Sequence, residues 1–146
     1  MNWSSDVLSL ILSVVFGAVV GLERELHGKA AGLRTNILIC VGATVFTILS
    51  RYMAADQDSL TRIASGVVTG IGFLGAGAII QDRGGVHGLT SAATIWVVAS
   101  VGMACGARYY ALAILTTLVT VVVLLVLKAA EKPLENHIKN KQNHLN

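Results

Sequence analysis

Five long stretches of this chain carry no charged side chain: Val7–Leu22, Thr35–Ser50, Ile63–Gln81, Gly88–Ala107 and Tyr109–Leu127, of 16, 16, 19, 20 and 19 residues. A helix that crosses a bilayer needs about 17–25 mostly apolar residues. Hydrocarbon offers no water to stray backbone groups, so only helices and closed barrels cross it. These runs lack the polar–apolar alternation of a barrel strand. The pattern predicts an all-α membrane protein, a compact bundle of five transmembrane helices over about residues 7–22, 35–50, 63–81, 88–107 and 109–127. The first two runs are short, and helical extension through their charged flanks completes them. Only 13% of the 146 residues are charged, roughly half the usual fraction. A soluble domain so poor in charge would expose large apolar patches, so lipid is the expected solvent.

Lysine and arginine set the orientation. With the N-terminus outside, the inner segments hold Arg24, Lys29, Arg34, Arg83, Lys128, Lys132, Lys139 and Lys141, against Arg51, Arg62 and Arg108 outside. The C-terminus is then cytoplasmic. Trp3, Tyr52, Tyr109 and Tyr110 fall at the outer interface, where such rings collect, and Trp96 is the exception. The first residues, Met1–Asp6, carry no positive charge, so no cleaved signal peptide is expected. Short links force sequential antiparallel neighbours. Residues 128–146 form a short basic tail, expected to extend the fifth helix and break near Pro133. The net charge of +3 reflects basic inner loops rather than nucleic-acid binding. Cys40 and Cys105 lie in or beside apolar runs without metal-type spacing and read as small buried residues.

Within the third run, Gly70, Gly72 and Gly75 spell G-x-G-x-x-G. A dinucleotide fingerprint needs a preceding strand and an acidic residue about 20 positions on, and one continuous apolar run leaves no room for that strand. As a helix, the stretch puts Gly66, Gly70 and Gly77 on one face with Phe73, and Gly72 and Gly75 towards the other. Small residues on two faces let helices approach on both sides, which predicts the central helix of the bundle. Its alternative use is a bent helix whose freed carbonyls line an ion path. Gly17/Gly21 and Gly102/Gly106 are further small-xxx-small pairs.

Charges abut the inner ends of the runs at Glu23, Arg24, Glu25, Arg34 and Asp82. A hairpin of the first two helices lets Glu23 or Glu25 pair with Arg34, and Lys29 stands one turn beyond Glu25, the favourable order. Charges near a membrane bundle core are usually paired or functional, so these residues define a candidate ion or partner site. Glu23, Glu25 and Asp82, with the hydroxyls of Thr35 and Thr90, are the hard oxygen donors that Mg²⁺ accepts, although their spacing is not a metal motif. Thr90 or Ser91 is expected to cap the fourth helix. No pair among His27, His87, His137 and His144 has metal-ligand spacing, and no nucleophile elbow, phosphate loop or HExxH occurs. The chain reads as no enzyme and as needing no cofactor, Mg²⁺ apart.

Gly21-Leu-Glu-Arg-Glu25, Gly32-Leu-Arg-Thr35, Gly70-Ile-Gly-Phe-Leu-Gly-Ala-Gly-Ala78 and Gly88-Leu-Thr-Ser-Ala-Ala93 with Ile95-Trp96 together resemble the signature of the MgtC/SapB family, over about residues 7–127. The resemblance implies a multi-pass protein of the bacterial inner membrane, linked to magnesium homeostasis and stress adaptation. It implies a regulator acting on other membrane proteins, such as the F-type ATP synthase or magnesium pumps. The alternative is a small homo-oligomeric transporter or channel for Mg²⁺ or another solute. The expected partners are the lipid bilayer, further copies of the chain with a dimer as the expected form, and another membrane protein. Many family members carry a C-terminal cytosolic domain, whereas this sequence stops after the tail and resembles a short form. Thr90-Ser91 stands where many members have two threonines.

Overall fold

The computed structural model describes residues 3–54, 57–82 and 85–143, with side chains described up to Val126 except at 57–60, 63 and 82. Five helices dominate it. They are α1 (Trp3–Leu26), α2 (Leu33–Met53), α3 (Gln57–Gly77), α4 (Leu89–Gly106) and α5 (Tyr110–Asn143). Three of them, α1, α2 and α4, are long and apolar enough to cross a membrane. The apolar parts of the other two, Ala64–Gly77 and Tyr110–Val126, are shorter among the described residues.

Two stretches differ from the sequence reading. The third helix stops at Gly77 instead of Gln81, and Ile80–Asp82 (β1) pairs antiparallel with Gly85–His87 (β2), Ile80 opposite His87. The hairpin leads into a turn at Gly88, whose φ is 87° and whose missing Cβ would lie 2.0 Å from the Ala78 carbonyl oxygen. Only glycine fits so close an approach in that conformation. At the other end, α5 continues through Pro133, where a break was expected. A proline removes a single helical hydrogen bond, and the helix runs on past it.

The centre of the bundle is α4, not the glycine-rich α3. Ser91, Thr94, Ile95, Val98, Ala99, Val101, Gly102, Ala104, Cys105 and Gly106 are all buried, and α4 packs on the other four helices. Helix α3 lies at the edge, against α4 and α2. Added Cβ atoms at Gly66, Gly70, Gly72 and Gly77 would meet nothing within 4 Å, and only Gly75 approaches Ala92. The close approaches occur elsewhere. A Cβ on Gly17 would come within 2.9 Å of the Asn36 oxygen and the Ile37 Cα, and one on Gly21 within 2.8 Å of the Leu33 Cα. From the opposite side, a Cβ on Gly102 would lie 2.2 Å from the Cys40 oxygen, and one on Gly106 2.6 Å from the Thr47 Cβ. Helix α2 is thus held between two glycine pairs, the small-residue contact that replaces hydrophobic driving force in lipid.

Between the ends, the core is Val20, Cys40, Val98, Val101, Ala104, Cys105 and Ala113. Both cysteines are fully buried and free. Buried hydroxyls turn back on helix carbonyls. Ser13 donates to Leu10 at 2.8 Å, Thr94 to Thr90 at 2.7 Å and Thr117 to Ala113 at 2.8 Å. Thr44 donates to Cys40 at 2.9 Å and across to Gly102 at 2.8 Å. These donors are satisfied within the protein, as an apolar surrounding demands.

Candidate functional site

Charge enters the bundle at its two ends. At one end, α1 carries its helix past the apolar run into Glu23 and Arg24, which are 8% and 3% exposed. Arg24 Nη2 donates to Ser91 Oγ at 3.0 Å, reaching the first turn of α4. Its Nη1 lies 3.8 Å from Glu23 Oε2. Glu23 Oε1 sits 2.8 Å from His27 Nδ1, one turn on. Glu23 Oε2, Arg24 Nε and Asn36 Oδ1 are buried without a hydrogen-bond partner. The Asn36 amide donates to the Ala31 and Gly32 carbonyls, both at 2.8 Å, and so ties the loop to α2.

A tight turn closes α1 beyond these charges. Gly28, at φ 62°, is the left-handed residue after the helix. The Lys29 N–H reaches back to the Arg24 oxygen at 3.0 Å and the Gly28 N–H to the Glu25 oxygen at 3.0 Å, the Schellman pattern. Glu25 sits in the last turn of α1, and its Oε2 accepts from the Leu33 N–H at 2.9 Å. A carboxylate on the first amide of α2 serves as its cap.

Of the residues singled out in the sequence, Glu23 and Arg24 converge in the buried site and Glu25 adjoins it. Arg34 and Thr35 are exposed. Glu23 lies against Arg24 and His27 rather than Arg34, and Arg34 is exposed at the start of α2. The helices begin at Leu33 and Leu89 after Gly32 and Gly88, which as glycines offer no capping side chain of their own. Thr35 and Thr90 therefore sit inside the first turn, beyond the capping position. Ser91, two places along α4, is instead the partner of Arg24. The side chain of Asp82, and Arg83, lie outside the described residues. Among the described residues no group of three His, Cys, Asp or Glu side chains converges. Mg²⁺ wants a shell of oxygens; Glu23 lies beside the Arg24 guanidinium and Glu25 on the Leu33 N–H, while the Asp82 carboxylate named with them lies outside the described residues.

The sequence reading did not anticipate the site at the other end. Asp6, on α1, is 8% exposed and joins that helix to α2 and to the link between α4 and α5. It accepts from the Tyr52 hydroxyl of α2 and, at 2.9 Å, from Arg108 Nη2 in the link between α4 and α5. Arg51 Nη1 lies 3.7 Å from the same carboxylate and donates to the Gly106 carbonyl at 3.2 Å. The Tyr110 hydroxyl meets Ser9 Oγ at 3.0 Å. Arg108 holds φ 67°, and its N–H bonds the Cys105 oxygen at 3.0 Å while the Tyr109 N–H bonds Ala104 at 2.8 Å. It occupies the position usually taken by glycine after a helix, and the hydrogen bond from its side chain to Asp6 raises its pKa above the usual arginine value. The available signal was the lone acid next to the first apolar run, with arginines at the facing ends.

Asp6 and Glu23 are 17 residues apart on one helix, which places the two clusters about 26 Å apart. That is close to the roughly 30 Å depth of bilayer hydrocarbon. The paired charges bracket an apolar middle.

The sequence matches the family model described as the MgtC family over residues 10–133. Among curated relatives it is 42% identical to YhiD of Escherichia coli K12, whose name provisionally calls it a magnesium transporter, over 95% of this chain and 66% of that protein. It is 38% identical to an uncharacterised protein of Synechocystis, over 99% of this chain and 59% of that one. It is 40% identical to MgtC of Salmonella typhimurium, over 85% of this chain and 53% of that protein. The chain thus spans less than two thirds of the length of these relatives. No solved structure matches it.

Proposed function

The chain belongs to the MgtC family, and from that premise we propose that it is a multi-pass protein of the bacterial inner membrane that regulates another membrane protein by helix contact, in the setting of magnesium homeostasis or stress adaptation. All five helices cross the bilayer in this reading, α3 and α5 completing their spans with residues beyond their apolar cores. The excess of lysine and arginine puts the Glu23 end in the cytoplasm and the Asp6 end outside.

One observation carries the reading. The face of α3 turned away from the bundle is built of Ser65, Thr69, Gly72 and Ala76, all exposed, and nothing lies within 4 Å of a Cβ at Gly72. Small residues at this spacing are what a second membrane helix packs against. The charged clusters make internal ion pairs, and between them lie a hydrophobic core and hydroxyls bonded to helix carbonyls, which favours a docking role over a single-chain conduit. A homo-oligomeric transporter is the second reading, favoured by the name of the Escherichia coli relative.

The test is a photo-crosslinker at position 72 of the full chain in native membranes. The expected product is an adduct with a different membrane protein, abolished by Gly72→Leu in a parallel pull-down. Adducts of the chain with itself alone would sink the regulatory reading and leave the oligomer.

A further inference from the structure

A second open surface of α3 faces α2 and has different chemistry. A trough of about 680 Å³ runs between the two helices, floored by Gly42, Gly66 and Gly70. It shares Leu38, Ile39 and Leu74 with a second groove of about 580 Å³ that ends at Arg34 and Thr35. The two form one continuous channel, apolar along its length and polar at one end. Arg34 is the only charged residue in its lining among the described residues. Among the described residues Arg34 meets no carboxylate, and Glu25, near the end of α1, is turned onto the Leu33 N–H. From Arg34 to Phe46, which lines the far end, α2 rises about 18 Å. One leaflet of hydrocarbon is about 15 Å deep, half of the roughly 30 Å core.

We propose that this trough is a binding site for a phospholipid with a net-negative headgroup. One acyl chain lies along the glycine floor, and the phosphate rests on the Arg34 guanidinium and the Thr35 hydroxyl. Three features select lipid over a further helix. The trough has the length of a single leaflet, its one cation stands at headgroup depth beside the Glu23 cluster, and its polar end is at the rim and not along the groove. A guanidinium binds phosphate through paired N–H donors, and the missing side chains at Gly66 and Gly70 leave the width that a hydrocarbon chain occupies. The site is independent of the outward face that contains Gly72.

Native mass spectrometry of the full chain in a neutral detergent tests this, with phosphatidylglycerol or phosphatidylcholine of the same acyl composition added at equal concentration. The protein is expected to retain phosphatidylglycerol in preference. Arg34→Gln, at an exposed position, should lower that retention about tenfold, the value of one charge-assisted contact. Lys29→Gln, in the link between α1 and α2 and outside the trough, should change nothing. Gly70→Leu fills the floor and should expel both lipids while circular dichroism shows unchanged helix content. Equal retention of the two lipids, or an Arg34→Gln protein that keeps its preference, overturns the proposal. So does displacement of the lipid by free inorganic phosphate, or a lipid-free dimer that Gly70→Leu dissociates. Crosslinking at position 72 is read separately, so each idea fails without the other.

Discussion

Arg24 and Arg108 are each held in costly circumstances by one named contact. Arg24 is buried at 3% exposure with Ser91 as its hydrogen-bonded partner. A hydrogen bond to a charged group contributes about 1.5–3 kcal/mol, so Ser91→Ala should destabilise the protein by about that much in detergent unfolding, and Ser91→Thr by less. Arg108 occupies a left-handed conformation at φ 67°, which costs a non-glycine residue about 1–3 kcal/mol. Its reach to Asp6 offsets that strain. Arg108→Gly should therefore destabilise the wild-type protein yet be neutral or stabilising in an Asp6→Asn background. A double-mutant cycle reads this reversal, and stabilisation in both backgrounds would show that the ion pair contributes little. Glu23 and Arg24 were legible in the sequence because they abut an apolar run without a spacer. Their partners were not, since proximity in sequence favours Arg34 while packing places Ser91 across from α1. Asp6 escaped notice because its partners lie 46 and 102 residues away.

Glycine marks contacts between helices without saying which helix makes them. Five glycines made the 66–80 stretch look central, yet most of them face open space in the single chain. The two pairs Gly17/Gly21 and Gly102/Gly106 do the packing, because α2 leans on both. Gly102→Ala drives a Cβ to 2.2 Å from the Cys40 carbonyl oxygen, and overpacking of this kind costs about 1–3 kcal/mol or more. Gly66→Ala meets nothing within 4 Å and should be neutral or gain up to about 1 kcal/mol of helix propensity. Thermal unfolding of the two variants side by side checks the contrast, and equal losses would contradict the packing described. The existence of five helices was readable from uncharged runs, because a long apolar run without charge leaves a simple signal. The ends were less so. The halt of α3 at Gly77 depends on the hairpin and on the contact of Gly88 with Ala78, both set by tertiary structure.

The whole molecule is an apolar middle clasped by two paired-charge clusters about 26 Å apart, with one helix left uncovered at its edge. In a bundle so arranged, an ion crossing a single chain would have to pass Val20, Val98 and Val101, where buried hydroxyls such as Thr44 and Thr94 are already turned onto helix carbonyls. That geometry, and the open face of α3, make contact with a neighbouring protein the favoured task, whereas transport would require several copies to build a path. Reconstitution decides between them. The full chain in tight liposomes, with a Mg²⁺ gradient and an internal Mg²⁺ dye, should give no flux above protein-free vesicles at any imposed potential. Protein-dependent Mg²⁺ entry that is lost in Glu23→Gln would contradict the account and make the buried cluster part of a pathway.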